Sequence, residues 1–564
     1  MPPVYSREIS MPIAEGRYLK TQFRTSPCED SCPAGNPIQK MQSLIEKGEF
    51  SEALRYLRAK NPFPGITGRV CPHFCQQACN RSSLDSCISI RDLERAASDH
   101  ADKAPQMQRR PATGKKVAVI GGGPAGLTGA YFLSLLGHDA TIFEASPMLG
   151  GVPRYAIPGF RLPRDVVDRE VGLVLQAGVH ARVNTKVGRD ISFNELRSTF
   201  DAVLVATGMP RERSLPIPNA DKALRAVEFL KNTALGLVQE VGRRVVVMGG
   251  GGVAFDCAFT AHRLGAEEVH VICLEEADAM RAPAEDIAQA KEEGIAIHNS
   301  CTMSAIACED GKVSAAEYFE VESCSFDAAG RLTLTPKEGG AHVLPCDTVI
   351  FAVGMMTDLD FMGGDAELSP RRCLVTDESL RTTAAAVFAA GEATSGPASV
   401  AQSIGQGRHA AFCIHAMLTG ENSPVFALNE GNLIEARPEL AGNAPHVVRF
   451  EEIYGASQYQ LRSPVPGRTA SHALDMQEID PGMTREEAMK EASHCMHCGH
   501  CKGCGTCVDD CPGYVLSLEA VPGCIDHPDR PIVSYRDECW HCANCRTSCP
   551  CGAIGFEFPL RMLV

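Results

Sequence analysis

Two copies of one cysteine motif near the end of the chain constrain its fold more than any other feature. In each copy three cysteines follow one another at CxxC spacing, and a fourth comes four residues later, directly before a proline. This spacing is typical of two-cluster bacterial ferredoxins, in which the fourth cysteine of each run ligates the other [4Fe–4S] cluster. Zinc ribbons are the alternative, but zinc sites prefer paired CxxC motifs. We expect one cluster on Cys501, Cys504, Cys507 and Cys549, and another on Cys539, Cys542, Cys545 and Cys511.

Cys495 and Cys498 extend the CxxC spacing upstream of the first run. Two sulfurs alone are too few for a cluster, so we expect these cysteines to hold none of their own. Thr484 and Glu487 form a capping box, which predicts a helix that runs to about Ala492 and leads the chain into Cys495.

The 26 cysteines of this 564-residue chain are concentrated at its two ends. Six lie between Cys28 and Cys87, twelve between Cys495 and Cys551, and eight in the long middle region. No export signal is visible, so we expect metal sites rather than disulfides, and a reducing, cytoplasmic compartment. The net charge of −15 disfavours nucleic-acid binding and attraction to anionic membranes. No run of about 18 apolar residues predicts a membrane span.

The middle of the chain alternates short apolar runs with amphipathic stretches, which is typical of βαβ units. The predicted strand Val117–Ile120 leads into a G-x-G-x-x-G motif at Gly121, Gly123 and Gly126. Such glycines permit a tight turn and let the backbone approach a pyrophosphate at a helix N-terminus. Glu144 ends the next apolar strand, where an acid can bind a ribose 2′-hydroxyl.

A second dinucleotide motif follows the predicted strand Val245–Met248, with Gly249, Gly251 and Ala254 at its three positions. The next strand, Val269–Cys273, is followed by acids that include Glu275. A protein that binds a 2′-phosphate places arginine there, so these acids favour NADH over NADPH. Two such motifs in one chain indicate a flavin and a nicotinamide dinucleotide.

Three further segments support this interpretation. Residues 201–208 and 347–354 each predict a strand that returns to a glycine, and Gly391 closes a third such strand before a helix whose N-terminus could face a flavin. The middle region contains no CxxC or CxxxxC pair, so a dithiol–disulfide reaction beside the flavin is disfavoured.

The order of these motifs resembles the small-subunit family of glutamate synthase and the flavin-containing NAD(P)H dehydrogenase subunits built on it. The resemblance rests on NPFPGITGRVCP, GGGPAGL, MLGGVPRYAIPGFRLP, ATG, GGGGVAFDCA and AAGE followed by GRHAA, over residues 28–415. The C-terminal cysteine runs resemble a ferredoxin tail found in one branch of the family. The resemblance implies FAD at Gly121, Gly123, Gly126, Glu144, Gly150, Gly151 and Gly391, and a nicotinamide dinucleotide at Gly249, Gly251 and Ala254.

Further cofactor-binding candidates lie in the same segments. In two of these segments the sequence departs from the usual family pattern. Cys273-Leu274-Glu275 replaces the usual Tyr-Arg-Arg, and Glu392 replaces the usual Asp. The first departure puts NADPH use in doubt, and the second leaves flavin binding intact. The further candidates are Pro124, Ala125, Ala145, Arg161, Ala206, Thr207, Gly208, Gly252, Val253, Glu275, Gly354, Glu392 and Ala401.

The N-terminal cysteines match only part of the two groups of four that the family carries. The first group is reduced to its second half, Cys28 and Cys32. The second group keeps three cysteines, and Thr67 stands where the family has another one. Glu94 occupies a position from which relatives can offer an oxygen ligand.

The resemblance therefore implies one [4Fe–4S] cluster in this region and leaves a second one open. A single zinc site is the alternative. The first cluster would use Cys32, Cys71, Cys75 and Glu94, and the second would use Cys28, Cys79 and Cys87 with a fourth ligand still to be found.

The expected fold class is α/β, with two nested Rossmann-like FAD and NAD(P) domains, an N-terminal α-helical iron–sulfur domain and a C-terminal ferredoxin-like α+β domain. The expected boundaries are 1–110 for the helical domain, 111–215 with 345–425 for FAD, 216–344 for NAD(H), 426–485 for a connector and 486–564 for the ferredoxin domain.

These parts predict an electron-transfer subunit that connects NAD(H) through FAD and iron–sulfur clusters to a larger catalytic partner, in a hetero-oligomer. Hydride transfer needs no side-chain acid or base, so no catalytic residue is predicted. A free-standing NAD(P)H:ferredoxin oxidoreductase is one alternative. A non-catalytic scaffold subunit is another, and the intact glycines argue against it.

Overall fold

The structure is a computed structural model. Its chain divides into two compact units, which we call the cysteine unit (residues 1–110, 421–465 and 482–564) and the nucleotide unit (residues 111–420 and 466–481). The structure describes residues 24–103, 107–238, 240–326, 332–421, 425–427, 433–435, 446–453, 476–520, 529–534, 539–540 and 542–554.

The N-terminal part of the cysteine unit is helical, as expected. Its longer helices each bury one apolar face; on the last of them Ile90, Leu93 and Ala97 are at most 2% exposed. The elements are β1 (Arg24–Thr25), α1 (Pro27–Asp30), α2 (Ile38–Glu46), α3 (Phe50–Arg58), α4 (Pro64–Val70), α5 (Phe74–Gln77) and α6 (Ile90–Asp99).

The nucleotide unit begins with the first predicted βαβ unit, whose strand starts at Lys116. A proline in the first turn of its helix has no N–H to leave unsatisfied, so the helix starts directly after Gly123. The elements are β2 (Lys116–Ile120), α7 (Pro124–Leu135), β3 (Asp139–Phe143), α8 (Val152–Tyr155), α9 (Arg164–Gln176), β4 (His180–Arg182), α10 (Phe193–Thr199), β5 (Ala202–Val205) and β6 (Arg211–Glu212).

The second βαβ unit follows, and a three-stranded antiparallel sheet interrupts it. The elements are β7 (Leu224–Arg225), α11 (Ala226–Ala234), β8 (Arg244–Met248), α12 (Gly252–Arg263), β9 (Glu268–Ile272), α13 (Ala284–Glu292), β10 (Ala296–His298), β11 (Cys301–Glu309), β12 (Lys312–Phe326), β13 (Leu332–Pro345), β14 (Thr348–Phe351) and β15 (Met355–Met356).

The chain then returns to the first sheet through β16 (Val387–Ala389), α14 (Glu392–Ser395) and α15 (Val400–Thr419). Both five-stranded sheets are parallel, in the orders β16-β5-β2-β3-β4 and β10-β9-β8-β14-β7. The two Rossmann-like sheets confirm the expected α/β class.

The expected boundary at residue 345 is wrong. Residues 348–351 form β14, which pairs with β8 and therefore belongs to the second sheet. The physical reason is that each Rossmann-like half needs its own returning strand beside its glycine turn. In the first half β5 pairs with β2, and in the second half β14 pairs with β8.

The cysteine unit is completed by the C-terminal part of the chain. Most of the expected connector, residues 426–485, lies outside the described residues. The described elements are β17 (Val425–Ala427), β18 (Leu433–Glu435), β19 (His446–Val447), α16 (Arg485–Ser493), α17 (Thr506–Asp509), β20 (Leu516–Ala520), β21 (Asp529–Val533) and α18 (Asn544–Thr547).

The predicted capping box at Thr484 and Glu487 is present and starts α16. Ala488 and Ala492 of this helix are fully buried in the same apolar core as Ile38 and Met41 of α2. The expected start of a separate ferredoxin domain at residue 486 is therefore too early, because α16 packs into the N-terminal helical core.

The contact between α7 and α15 depends on glycine. A Cβ at position 407, on α15, would lie 2.3 Å from the carbonyl oxygen of Ala125 on α7. That atom belongs to the backbone and cannot rotate away, so only glycine allows the two helices to approach this closely.

We predict that Gly407→Ala lowers the stability of the nucleotide unit by about 1–3 kcal/mol, because overpacking forces the two helices apart. Differential scanning calorimetry should show a lower unfolding midpoint. Gly172→Ala, on α9, is the control, since a Cβ there meets no atom within 4 Å. An equal shift for both variants would contradict the packing argument.

Candidate functional site: two dinucleotide turns and three thiol groups

The first glycine turn is closed so tightly that side chains are excluded. Gly121 has φ +107°, and a Cβ there would lie 2.4 Å from the carbonyl oxygen of Ala206. A Cβ at Gly126 would lie 2.0 Å from the carbonyl oxygen of Gly121. Gly123 caps α7, so the helix N-terminus faces the turn. Free N–H groups at such an end can bind a pyrophosphate.

Glu144 lies at the edge of this turn. Its carboxylate accepts hydrogen bonds from the backbone N–H groups of Gly122 and Ser146, each at 2.7 Å. The exposed Ala145 follows directly. The loop of Gly150 and Gly151 also closes on the turn, since the Gly150 N–H donates to the Gly122 carbonyl at 2.8 Å.

The returning segments complete a cradle around the turn. Gly391 has φ +75°, and its N–H donates to Gln406 Oε1 at 2.7 Å. Ala401 is buried in the first turn of α15. Thr207 Oγ1 is buried and has no hydrogen-bond partner among the described residues. A buried hydroxyl without a partner beside a glycine turn fits a bound dinucleotide, because that ligand can supply the missing hydrogen bond.

Glu392 lies in the same cradle. Burial raises the pKa of its carboxyl group, while the hydrogen bond from the Ala398 N–H opposes that shift. A Cβ at Gly208 would lie 3.6 Å from its carboxylate. The Glu392 carboxylate thus lies close to the backbone at both Gly208 and Ala398, and its effect on flavin binding stays a prediction.

The second turn repeats the geometry of the first. A Cβ at Gly249 would lie 2.4 Å from the Ala352 carbonyl oxygen, and the Ala282 N–H donates to the Gly250 carbonyl at 3.2 Å. Gly251 caps α12, and Ala254 is fully buried. Gly252 and the partly exposed Val253 form the first turn of the helix, and Gly354 follows β14 with φ +103°.

Glu275 faces this second turn as Glu144 faces the first. A Cβ at Gly250 would lie 2.4 Å from Glu275 Oε2. Arg281 Nε lies 3.9 Å from Glu275 Oε1, and the Arg281 side chain is 77% exposed. The sequence analysis missed Arg281, which is six residues beyond the usual position and reaches the acid only because the chain turns back.

Arg161 forms ion pairs with two carboxylates of the second βαβ unit. Its guanidinium lies 2.6 Å from Asp256 on α12 and 3.3 Å from Asp286 on α13, and these carboxylates raise its pKa against the opposing effect of burial. These contacts hold the segment after α8 against the second βαβ unit. Its expected role in cofactor binding therefore stays a prediction.

Three thiols of the N-terminal region surround one carboxylate. The pKa of Cys32 is raised to about 11 and that of Cys71 to about 12, first by burial and also by the charge of Glu94. Burial also raises the pKa of Cys75, and Cys32, Cys28, Cys71 and Glu94 contribute in the same direction. Thr67, at the position of the missing cysteine, donates to Glu94 Oε1 at 2.5 Å and so holds the carboxylate near the thiols.

The C-terminal cysteine runs interleave. A cavity is lined by three cysteines of the first run, Cys501, Cys504 and Cys507, together with Cys549 of the second. Cys511 of the first run shares an apolar cluster with Cys539 and Cys545. Cys542 is exposed. The four thiols expected for the first cluster thus line one cavity, and this donor set fits an iron–sulfur cluster. Of the second set, Cys511, Cys539 and Cys545 share an apolar cluster that also contains Cys507 and Cys549, so the second ligand set stays a prediction.

The two halves of this region are also alike in their backbone. Cys507 lies on α17 and Cys545 on α18, and each of these short helices is preceded by a left-handed residue, Gly505 and Ala543 respectively. His541 and Cys524 lie outside the described residues.

Comparison with known proteins finds two family matches along the chain. Residues 115–407 match the family described as pyridine nucleotide-disulphide oxidoreductase, and residues 17–106 match the family described as dihydropyrimidine dehydrogenase domain II, 4Fe-4S cluster. The chain belongs to the glutamate synthase small-chain group of flavin-dependent pyridine nucleotide oxidoreductases. This confirms the resemblance inferred from the motifs, together with binding of FAD, a pyridine nucleotide and [4Fe–4S].

Three relatives illustrate the group. The chain is 33% identical to the NADP(+)-dependent formate dehydrogenase subunit beta of Moorella thermoacetica, over 84% of this chain and 70% of that protein. It is 32% identical to the NADPH-Fe(3+) oxidoreductase subunit beta of Geobacter sulfurreducens, over 84% and 75%. It is also 32% identical to the glutamate synthase [NADPH] small chain of Escherichia coli, over 72% and 92%.

As in the sequence analysis, no membrane span is found: no described helix is both long and apolar enough to cross a bilayer.

We predict that Gly251→Ala weakens binding of the nicotinamide dinucleotide at least tenfold, or about 1.4 kcal/mol, because the Cβ would stand where a pyrophosphate approaches the backbone. The protein itself should tolerate the change, since that Cβ meets no protein atom within 4 Å. Isothermal titration calorimetry measures the affinity, and FAD content and the unfolding midpoint serve as controls. Unchanged affinity would show that the ligand does not approach this turn.

Proposed function

We propose that this chain is an electron-transfer flavoprotein subunit that passes electrons between NAD(H) and a larger partner oxidoreductase. The observation that carries the proposal is the presence of two closed dinucleotide turns in one unit and interleaved thiol groups in the other. A non-catalytic scaffold would have no reason to keep both turns free of side chains.

The cofactors supply a specific chemistry when they are bound. A flavin accepts a hydride, which carries two electrons, and iron–sulfur clusters accept the electrons one at a time. In the overall reaction, one NADH and two oxidised one-electron acceptors give NAD⁺, one proton and two reduced acceptors. The reverse direction uses the same groups.

The chain's own residues would bind and orient these cofactors. The N-termini of α7 and α12 face the two glycine turns, and Glu144 and Glu275 stand where ribose hydroxyls would lie. The thiols of the cysteine unit supply the cluster ligands. Cys501, Cys504, Cys507 and Cys549 would hold one C-terminal cluster, and Cys511, Cys539, Cys542 and Cys545 the other.

A partner is proposed for two reasons. The names of the relatives describe beta subunits and small chains of larger enzymes. In addition, Tyr514 and Trp540, which follow Cys511 and Cys539, are 81% and 69% exposed. Exposed aromatic side chains beside a cluster suit a surface that docks onto another protein.

The proposal is tested by purifying the tagged protein without oxygen from its native host. We expect a large subunit to copurify in stoichiometric amount, and NADH to bleach the flavin absorbance before cluster signals grow in the EPR spectrum. A protein that purifies alone and reduces ferredoxin with NADH would favour the free-standing oxidoreductase. Flavin that NADH does not reduce would contradict both functions.

We predict that Trp540→Ala reduces the amount of partner retained by the tagged protein. The exposed indole would lose its contact with the partner, whereas NADH-dependent reduction of ferricyanide, a small dye, should stay at the wild-type rate. Leu237→Ala is the matched control, because Leu237 is 71% exposed on the nucleotide unit. Equal loss of partner in both variants would rule out a specific role for Trp540.

We propose NAD(H) rather than NADP(H) as the dinucleotide, because the Glu275 carboxylate would repel a 2′-phosphate. The names of relatives include NADPH, and Arg281 stands beside Glu275, so the two side chains have opposite effects on the choice.

We predict that Glu275→Arg shifts the ratio of kcat/KM for NADPH over NADH upward by at least tenfold, and that Arg281→Ala shifts it downward. Flavin reduction measured by stopped flow with each dinucleotide gives both ratios. A wild-type protein that prefers NADPH, or a Glu275→Arg variant with unchanged preference, would show that Glu275 does not select the dinucleotide.

A further inference from the structure

One buried amide joins thiols from opposite ends of the chain. Gln39 Nε2 donates to Cys28 Sγ at 3.5 Å, and Cys495 Sγ donates to Gln39 Oε1 at 3.4 Å. Gln39 is 3% exposed. Since both sulfurs contact one side-chain amide, Cys28 and Cys495 lie in the same pocket although 467 positions separate them in the sequence.

Two further thiols adjoin this pocket: Cys79 packs against the apolar core that contains Cys28, and Cys498 lies three residues after Cys495. The pKa of Cys498 is raised to about 11, mainly by burial, against the lowering effect of a hydrogen bond from the side chain of Asn80 and with a further rise from Cys79 included. Burial raises the pKa of Cys495, and Cys28, Cys498 and Cys79 each raise it as well. Cys28 and Cys498 are only 6% and 7% exposed.

Hydrogen bonds and close packing hold the C-terminal segment around Cys495 against the N-terminal helices. The Ser89 N–H donates to Glu491 Oε1 at 2.9 Å, and Arg81 donates to the His494 carbonyl at 2.5 Å. A Cβ at Gly499, which has φ +77°, would lie 3.1 Å from the Thr25 backbone. Segment 494–499 is therefore built into the N-terminal helical core.

Hydrogen-bond partners also lie beside two of these sulfurs. The His497 N–H donates to Cys495 Sγ at 3.4 Å, and Ser26 Oγ lies 3.1 Å from Cys28 Sγ. Hydrogen bonds to the sulfurs tune the potential of an iron–sulfur centre. Glu29, which raises the pKa of Cys28, is itself 2.8 Å from the His500 Nε2.

We propose that Cys28, Cys79, Cys495 and Cys498 ligate one [4Fe–4S] cluster. The CxxC pair from the C-terminal segment replaces the two cysteines that are missing from the first N-terminal group. It supplies the ligands that Cys28 and Cys79 lack, so Cys495 and Cys498 would share a cluster with N-terminal cysteines rather than hold one of their own. Cys87, which belonged to the expected set, would then not be a ligand.

Uptake of an intact cluster from a carrier balances as a ligand exchange. Each cysteine sulfur loses its proton and bonds to one iron as the bond between that iron and a carrier ligand breaks, so four protons pass to solvent or to the released ligands. No oxidant or reductant is consumed. Among the described residues no three His, Cys, Asp or Glu side chains are spaced for a single metal ion. The thiolates of a cubane each bond a different iron and so stand farther apart than ligands of one ion.

This site adjoins the group of Cys32, Cys71, Cys75 and Glu94, since Cys28 and Cys75 lie in one apolar core. Its test does not depend on the proposed function, because iron can be counted whether or not the protein oxidises NADH or binds a partner.

The experiment compares the full-length protein, purified without oxygen, with Cys495→Ala, Cys28→Ala and the double variant. Each single variant should lose about four irons per chain, which is one cluster, together with the same EPR signal. The double variant should lose the same four irons and no more, because both residues ligate one cluster. Iron is measured against protein and against FAD.

Two controls separate ligation from misfolding. Met496→Ala removes a buried side chain from the same segment without removing a thiol and should keep the full iron content. FAD content and the near-ultraviolet circular dichroism spectrum report on folding of each variant. Iron loss in Cys28→Ala but full iron in Cys495→Ala would overturn the proposal. So would a double variant that loses twice as much iron as each single one, since the two residues would then serve different clusters.

Discussion

Burial of thiols in shared pockets is the constraint on which the cysteine unit depends. Removal from water raises the pKa of Cys28, Cys495 and Cys498, and neighbouring thiols raise it further. Such groups become thiolates only when positive charge enters the pocket with them. An iron–sulfur cluster brings that charge and binds four sulfurs at once. For the proposed cluster, uptake and consolidation of this unit would therefore be coupled, as in other metal-dependent domains.

The nucleotide unit depends on a different constraint, the close approach of backbone segments. Gly121 and Gly249 each lie against the carbonyl oxygen of a returning strand, at Ala206 and Ala352. The two turns share this closure but differ at the third motif position, where Gly126 would clash as alanine and Ala254 is accommodated. The same loop geometry would thus serve both proposed dinucleotide sites, and a glutamate stands at the edge of each turn.

Sequence reasoning succeeded where the signal is local. The strands, the glycine turns, the capping box at Thr484 and the repeated cysteine runs all follow from residues close together in the chain. It failed where distant segments meet. Nothing in the spacing around Cys495 reveals that Gln39 contacts it, and nothing near Glu275 marks Arg281 as its neighbour. The start of the FAD domain's second segment was misplaced because β14 resembles β5 in sequence while pairing in the other sheet.

The meeting of Cys28 with Cys495 has a consequence for how the protein matures. A cluster bound by both can form only after the C-terminal segment has been synthesised and α16 has packed against α2. The Cys32, Cys71, Cys75 and Glu94 group has all its members before residue 100 and has no such requirement. The two neighbouring pockets would then be filled in sequence, and the later one would join the ends of the chain. A chain without the C-terminal CxxC pair would keep the cluster on Cys32, Cys71, Cys75 and Glu94 and lose the cluster that includes Cys28.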